Sequence, residues 1–215
     1  METTNKNHLH SPILFNKKNK NKLIILSGIF IIMSTIGIIS INFFNYEITK
    51  RERKIDFYRD LCTESLKQVY EAQENTRYVH ILQNTLYILE ALGKKEKVRK
   101  MNNEEIKPIM RKGAYAAINA AELSQKINEK QAQEYMQRVE SAQIDSVIKS
   151  IYFNNIDYAI EGQNTINGAI EVHANKIHEI EAWRNRILLI SIIFQILGLY
   201  LGIVLNIIDK QKNIK

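Results

Sequence analysis

The fold is decided by two apolar stretches, LIILSGIFIIMSTIGIISINFF at residues 23–44 and ILLISIIFQILGLYLGIVLNII at residues 187–208. Neither stretch contains a charged residue. A helix that crosses a hydrocarbon core of about 30 Å needs about 20 apolar residues, at about 1.5 Å of rise per residue. The sequence therefore predicts two transmembrane helices, at residues 23–45 and 187–208.

Each stretch has one competing interpretation. A cleaved signal peptide has an apolar region of about 7 to 15 residues that ends in small residues. The first stretch is longer and ends in Phe43 and Phe44, so it is predicted to be an uncleaved signal anchor. A buried core helix would show a polar stripe, and the second stretch has none.

Aromatic and basic residues flank the two stretches at the ends that adjoin the segment between them. Tyr46 follows the first stretch, and Trp183 with Arg184 precedes the second. Such residues are typical of the membrane–water interface. We expect these three residues to be interfacial anchors at one membrane surface, which places both chain ends at the other surface.

The net charge of +7 is concentrated at the chain ends. Residues 1–22 form a basic N-terminal tail of +4, residues 209–215 form a basic C-terminal tail of +2, and the part between the apolar stretches sums to +1. A nucleic-acid-binding domain would carry the positive charge itself, so nucleic acid is not expected as a partner.

Short basic segments tend to stay in the cytoplasm. We expect a multi-pass protein of the cell (plasma or inner) membrane, with cytoplasmic tails and an extracytoplasmic domain at residues 46–186. Six basic residues flank the apolar stretches on the domain side and favour the opposite orientation: Lys50, Arg51, Arg53, Lys54, Arg184 and Arg186.

The domain between the two stretches is predicted to be all-α. Glycine and proline are absent between Gly37 and Gly93, which predicts one helix from about residue 45 to residue 92. Its distal half has apolar residues at alternating spacings of three and four, a pattern typical of coiled coils: Val79, Leu82, Leu86 and Leu89. Its proximal half has weaker equivalents, which predicts a less stable proximal half: Leu61, Ser65, Gln68, Ala72 and Asn75.

Local signals divide the rest of the domain. Residues 93–103 resemble a solvated loop that begins at a helix-ending glycine, and Asn102 with Glu105 matches a capping box. Turns are predicted near residues 127 and 154, where Asn128 and Asn154 are possible caps. The domain is therefore expected to be a four-helix bundle or a coiled-coil-like assembly.

Two further helical stripes support that expectation. The segment at residues 113–124 has small residues on one face, which permits close helix packing: Gly113, Ala116 or Ala117, Ala120 and Ser124. The last domain helix has a mostly apolar face: Ile156, Ile160, Ile166, Ile170, His173, Ile177 and Ile180.

Sequence motifs for catalysis, metal binding and nucleotide binding are absent. No catalytic, metal-binding or cofactor-binding residue is predicted, and enzymatic activity is not expected. Cys62 and His173 could meet as a thiol and its base. We interpret both as packing residues, because a thiol and an imidazole on long helices meet easily by chance.

Three residues of the second stretch are candidates for helix packing in the membrane: Gly198, Gly202 and Gln195. The two glycines form a GxxxG pattern that permits close helix approach, and a buried amide requires a hydrogen-bonding partner. This surface either packs against the first stretch of the same chain or forms a dimerisation or pore-lining face.

The expected function is a non-enzymatic structural or interaction role. The expected partners are the lipid bilayer and either further copies of the chain, as a homo-oligomer, or another membrane protein. Two alternatives remain: a small-ligand sensor subunit that acts through a membrane partner, and an oligomeric pore-forming effector.

Overall fold

A computed structural model describes residues 17–142 and 145–213. The described residues are 95% helical and include no strand, which confirms the predicted all-α class. Most of the N-terminal tail, residues 1–16, and the last two residues lie outside the described part.

Two long helices and three short ones follow one another along the chain. Helix α1 spans Lys17–Ala91 and helix α2 spans Lys95–Met101. A π-helical turn at Asn102–Ile106 leads into α3, which spans Lys107–Leu123. Helix α4 spans Glu129–Ser141, and α5 spans Asp145–Asn213.

Helix α1 ends where the sequence predicts. Gly93 has a φ of +71°, a left-handed conformation that glycine adopts without steric cost and that commonly terminates helices. The predicted helix at residues 45–92 is therefore confirmed, as one part of the longer α1.

The predicted loop at residues 93–103 is wrong, because Lys95–Met101 form α2. The predicted capping box of Asn102 and Glu105 is also wrong, because these residues lie in the π-helical turn, which has no side-chain cap. Pro108 occupies the first turn of α3. It has no N–H to donate to the carbonyl four residues earlier, and the irregular turn lies directly before it.

The predicted turn near residue 127 is confirmed. The Gln131 backbone N–H donates to Asn128 Oδ1 over 2.9 Å, and the Asn128 N–H donates to Gln131 Oε1 over 3.0 Å. This reciprocal capping box satisfies two backbone donors at the start of α4.

The predicted turn near residue 154 is wrong, because Asn154 lies inside α5. Its neighbour Asn155 is fully buried and donates from Nδ2 to the Ile151 backbone oxygen over 2.8 Å. An asparagine that bonds to its own helix in this way does not act as a cap. The break instead separates Ser141 from Asp145, and Ala142 between them is extended.

The chain divides into two compact units. Among the described residues, the first unit contains those up to Ile48 and from His178 onward, and the second contains those from Thr49 to Ile177. The second unit has a core to which α1, α3, α4 and α5 all contribute, including Val79, Ile118, Val139 and Ile148.

The spacing predicted for α1 agrees with this core in part. Val79 and Leu82 are buried, and Leu86 packs against the core. The proximal positions Ser65 and Ala72 are buried as well. Val69 was not predicted, yet it is also buried, so the core extends further toward the proximal half than its polar composition indicates.

The small-residue face of α3 is confirmed, since these residues are all buried: Gly113, Ala116, Ala117, Ala120 and Ser124. On α5, Ile156 and Ile166 of the predicted apolar stripe are buried. Ile160 of the same stripe is 46% exposed, so the predicted apolar stripe is buried only in part.

Gly162 of α5 lies close to Ser124, which directly follows α3. A methyl group at this position would lie 2.5 Å from the Ser124 backbone oxygen. One residue further along, Gln163 Nε2 donates to Ser65 Oγ over 3.0 Å, and Ser65 Oγ donates to the Ala120 backbone oxygen over 3.0 Å. This chain of bonds joins α5 to α1 and α1 to α3.

We predict opposite effects for alanine at two glycines of α5. Gly162→Ala should destabilise the second unit by about 1 to 3 kcal/mol, because the methyl group overpacks a backbone contact. Gly168→Ala should stabilise it by about 0.5 to 1 kcal/mol through helix propensity, because a methyl group there meets no atom within 4 Å. Denaturant unfolding of the full chain in detergent, followed by circular dichroism, measures both. If both substitutions changed the free energy of unfolding equally and in the same direction, the close contact of Gly162 with Ser124 would be contradicted.

Candidate membrane helix interface

The two apolar stretches pack against each other within the first unit. Ser27 Oγ of α1 donates to the Gly198 backbone oxygen of α5 over 3.1 Å. The rings of Phe30 and Phe194 are stacked, with centroids 5.5 Å apart and planes inclined by 13°. These contacts define the inner face of the pair.

The inner face consists largely of small residues. Ser27, Ser34 and Ser191 are buried. A methyl group at Gly37 would clash with Ser191 Oγ, so a side chain there requires rearrangement. Small residues permit this close backbone approach, which favours helix association in lipid.

The contacts at the two ends make the pair antiparallel. Lys20 of α1 forms an ion pair with Asp209 of α5. At the opposite end, Arg184 Nη1 donates to Asn45 Oδ1 over 3.2 Å. The described parts of the two basic tails therefore lie at the same end of the pair.

The structure separates the two glycines that the sequence groups together. Gly198 is buried in the inner face, and a methyl group there would lie 3.2 Å from Ile31 Cγ1. Gly202 is exposed, and a methyl group there would meet nothing within 4 Å. Gln195 is exposed as well. Of the three predicted packing residues, only Gly198 lies in the inner face.

Gln195 and Gly202 lie on an outer stripe of α5 with Asn206, which is also exposed. Residues seven and eleven positions apart share one helical face. Sequence reasoning missed Asn206, although an asparagine within an apolar run eleven residues after a glutamine is a visible signal. This outer stripe of α5 presents two amides and one glycine that the described part of the chain leaves uncovered.

Sequence reasoning also missed the serines of the inner face. Ser27 and Ser34 are seven residues apart, as are Ser191 and Gly198. This spacing of small residues would have identified both halves of the interface.

The three predicted interfacial anchors lie at the Asn45 end of the pair. Tyr46 is 63% exposed and Trp183 is 58% exposed. The Arg186 guanidinium lies 5.2 Å from the centre of the Trp183 ring. Arg184 is the half-buried donor to Asn45 and also pairs with Glu181 at 3.9 Å. Their role at a membrane surface stays a prediction.

The remaining faces of the pair are strongly apolar. Only 11% of the most apolar 18-residue window in each long helix is buried, which separates these segments from core helices of a soluble protein. By length and composition, each of the two helices contains a segment that can cross a membrane.

Cys62 and His173, in the second unit, have different neighbours. Cys62 Sγ lies 3.8 Å from Asn167 Oδ1, and burial raises the pKa of the thiol, which disfavours the nucleophilic thiolate. His173 stacks on the Tyr58 ring, and its Nδ1 lies 3.4 Å from Arg51 Nη1. Burial lowers the pKa of His173, with smaller contributions from Lys54 and Arg51. Both pKa shifts favour the uncharged form of the side chain, the thiol of Cys62 and the neutral imidazole of His173.

Comparisons with known proteins add no assignment: no protein-family model matches the chain, and no curated protein or solved structure is significantly similar to it.

We predict that leucine at Gly37 weakens the helix pair by about 1 to 3 kcal/mol through overpacking. Gly28→Leu is the matched control, because a methyl group at Gly28 meets nothing within 4 Å. Cysteines at the ion-paired positions Lys20 and Asp209, in a Cys62→Ala background, report pairing through the yield of a bismaleimide cross-link. Equal yields in the two leucine variants would contradict the interface.

Proposed function

We propose that the protein is a two-pass protein of the cell membrane whose helical domain has a non-enzymatic structural or interaction role. The observation that carries the interaction role is an exposed apolar stripe on α1 between Tyr78 and Leu92. The membrane assignment is supported by the helix pair of the first unit.

The outer faces of that pair carry large aliphatic side chains in both apolar stretches. Burying one such side chain away from water is favourable by about 1.5 to 3 kcal/mol. Soluble proteins rarely expose a continuous apolar surface of this extent, so lipid is the partner that best covers it. Examples with at least half of the side chain exposed are Ile25, Ile32, Ile39, Leu189, Ile196 and Ile203.

Charge supports the proposed orientation. The ion pair of Lys20 with Asp209 lies at the end of the pair from which the basic tails extend. Cytoplasmic tails follow from the preference of short basic flanks for that side. The domain would then be extracytoplasmic, as a bundle formed by the domain parts of α1 and α5 together with α3 and α4.

The domain carries an uncovered apolar stripe on the distal part of α1, which we call the outer stripe of α1: Tyr78, Ile81, Thr85, Ile88 and Leu92, the last of which directly follows the helix. Its four apolar members are 53% to 62% exposed. The spacings of three and four residues place them on one helical face, opposite the buried Val69, Ala72 and Val79.

Single exposed apolar residues are common on protein surfaces. Four of them in helix register over about four turns form a surface suited to another helix. We therefore propose that the outer stripe of α1 mediates assembly, with a second copy of the chain as the partner. Within the first unit, the exposed stripe of Gln195, Gly202 and Asn206 supports self-assembly by a separate argument, since amides both donate and accept hydrogen bonds and so suit a symmetric interface.

We predict that both chain ends face the cytoplasm. A reporter that fluoresces only in the cytoplasm should be bright at either end, and alkaline carbonate should not extract the chain from membranes. Trypsin added to intact spheroplasts should cleave at the exposed lysines 94 and 95. Dark reporters together with a trypsin-resistant domain would reverse the orientation, and carbonate extraction of the chain would contradict insertion.

We predict that Ile81→Lys with Ile88→Lys prevents assembly without unfolding the domain, because both residues are more than half exposed. Asn84→Lys with Tyr87→Lys adds the same charge to exposed positions outside the stripe and should preserve assembly. Co-purification of two differently tagged copies, after cross-linking in native membranes, measures self-association.

Equal self-association of the two double variants would contradict the role of the outer stripe of α1. A cross-link to a different membrane protein, lost only in the Ile81 and Ile88 variant, would retain the interaction role and replace the second copy as the partner.

A further inference from the structure

We infer that the helical domain binds a small aromatic carboxylate in a cavity between α1, α3 and α5. This site lies within the second unit, on a different face of α1 from its outer stripe, and it does not depend on membrane insertion. It goes beyond the proposed assembly role, because it gives the domain a ligand.

The cavity has an apolar floor contributed by three helices. Val79 of α1, Met110 of α3, and Ile148 with Tyr152 of α5 line it, and all four side chains are at least nine-tenths buried. Its volume is about 160 Å³. An apolar cavity of about 150 Å³ holds one benzene ring, so a single aromatic ring fits this space.

Two basic side chains line the same cavity. Lys149 follows Ile148 on α5, and His80 follows Val79 on α1; both are exposed to solvent. None of the ion pairs among the described residues includes Lys149, and no acidic residue of the described chain lines the cavity. The site therefore has an unpaired cation and no anion.

The combination of an apolar floor and a basic margin selects the chemistry of the ligand. A metal ion or an organic cation would find no carboxylate there, and a purely apolar molecule would leave Lys149 unused. A flat apolar body with one anionic group satisfies both parts, because the ring fills the floor while the carboxylate accepts from the Lys149 ammonium.

The test uses the full chain in lipid nanodiscs and two fluorine-labelled probes observed by ¹⁹F NMR. 4-Fluorobenzoate carries the carboxylate, and 4-fluorobenzamide is its neutral analogue of nearly the same shape. Nanodiscs without protein provide the baseline for partitioning into lipid. We expect saturable binding of the benzoate and at least about tenfold weaker binding of the benzamide, which corresponds to about 1.4 kcal/mol.

Four variants locate the site. Lys149→Gln should weaken benzoate binding about tenfold, and Lys149→Arg should retain it, since both residues donate to a carboxylate. Lys130→Gln removes an exposed lysine of α4 that does not line the cavity and should leave binding unchanged. Ile148→Trp should fill the cavity and abolish binding of both probes, with its melting temperature measured to confirm folding.

The inference would be overturned by the absence of saturable benzoate binding, by equal affinity for both probes, or by equal effects of Lys149→Gln and Lys130→Gln. Binding retained in a folded Ile148→Trp variant would also overturn it. If Ile148→Trp does not fold, the comparison of the two glutamine variants decides alone, because both replace exposed side chains.

Discussion

Close approach between helices through residues that lack large side chains is the constraint on which both units depend. Gly162 lies against the backbone of Ser124 in the second unit, and Gly37 lies against Ser191 in the first. With Cys62 as its only cysteine, the chain cannot form an internal disulfide. The described part of the chain contains no strand, so side-chain packing between helices holds each unit together. A glycine or serine at a contact lets the helix backbones come close enough for many weak dispersion contacts to add up.

The size of the side chains also distinguishes the inner surfaces of the units from their outer surfaces. In the first unit, small and weakly polar side chains lie inside together with the stacked rings of Phe30 and Phe194, and large aliphatic side chains lie outside, largely the reverse of a soluble protein. This inversion is what lipid permits, because lipid tails cover aliphatic side chains as well as a protein core does. In the second unit a core of large apolar residues lies inside, whereas others are exposed, among them the four apolar members of the outer stripe of α1 that support the proposed assembly role.

The polar groups that remain exposed on apolar surfaces connect structure with the proposed function. Gln195 presents an amide near the middle of the second apolar stretch, where water would be absent in a bilayer and an unpaired amide is unfavourable, and Asn206 presents another near the end of that stretch. Lys149 presents a charge beside an apolar cavity. Each of these groups lacks a partner in the described chain that would explain its position, and each has a chemical complement: another amide for the first two, and a carboxylate for the third.

Sequence by itself determined the all-α class, the two apolar segments, the end of α1 at Gly93 and the cap at Asn128, because these depend on local composition and on backbone preferences of single residues. It misplaced the turn near residue 154, since the sequence does not show that the neighbouring Asn155 is buried and bonds to Ile151 within its own helix. It grouped Gly198 with Gly202, although the first faces α1 and the second does not. Only the tertiary structure decided which face of each helix is covered, because helical spacing defines several candidate faces and the partner helix selects one of them.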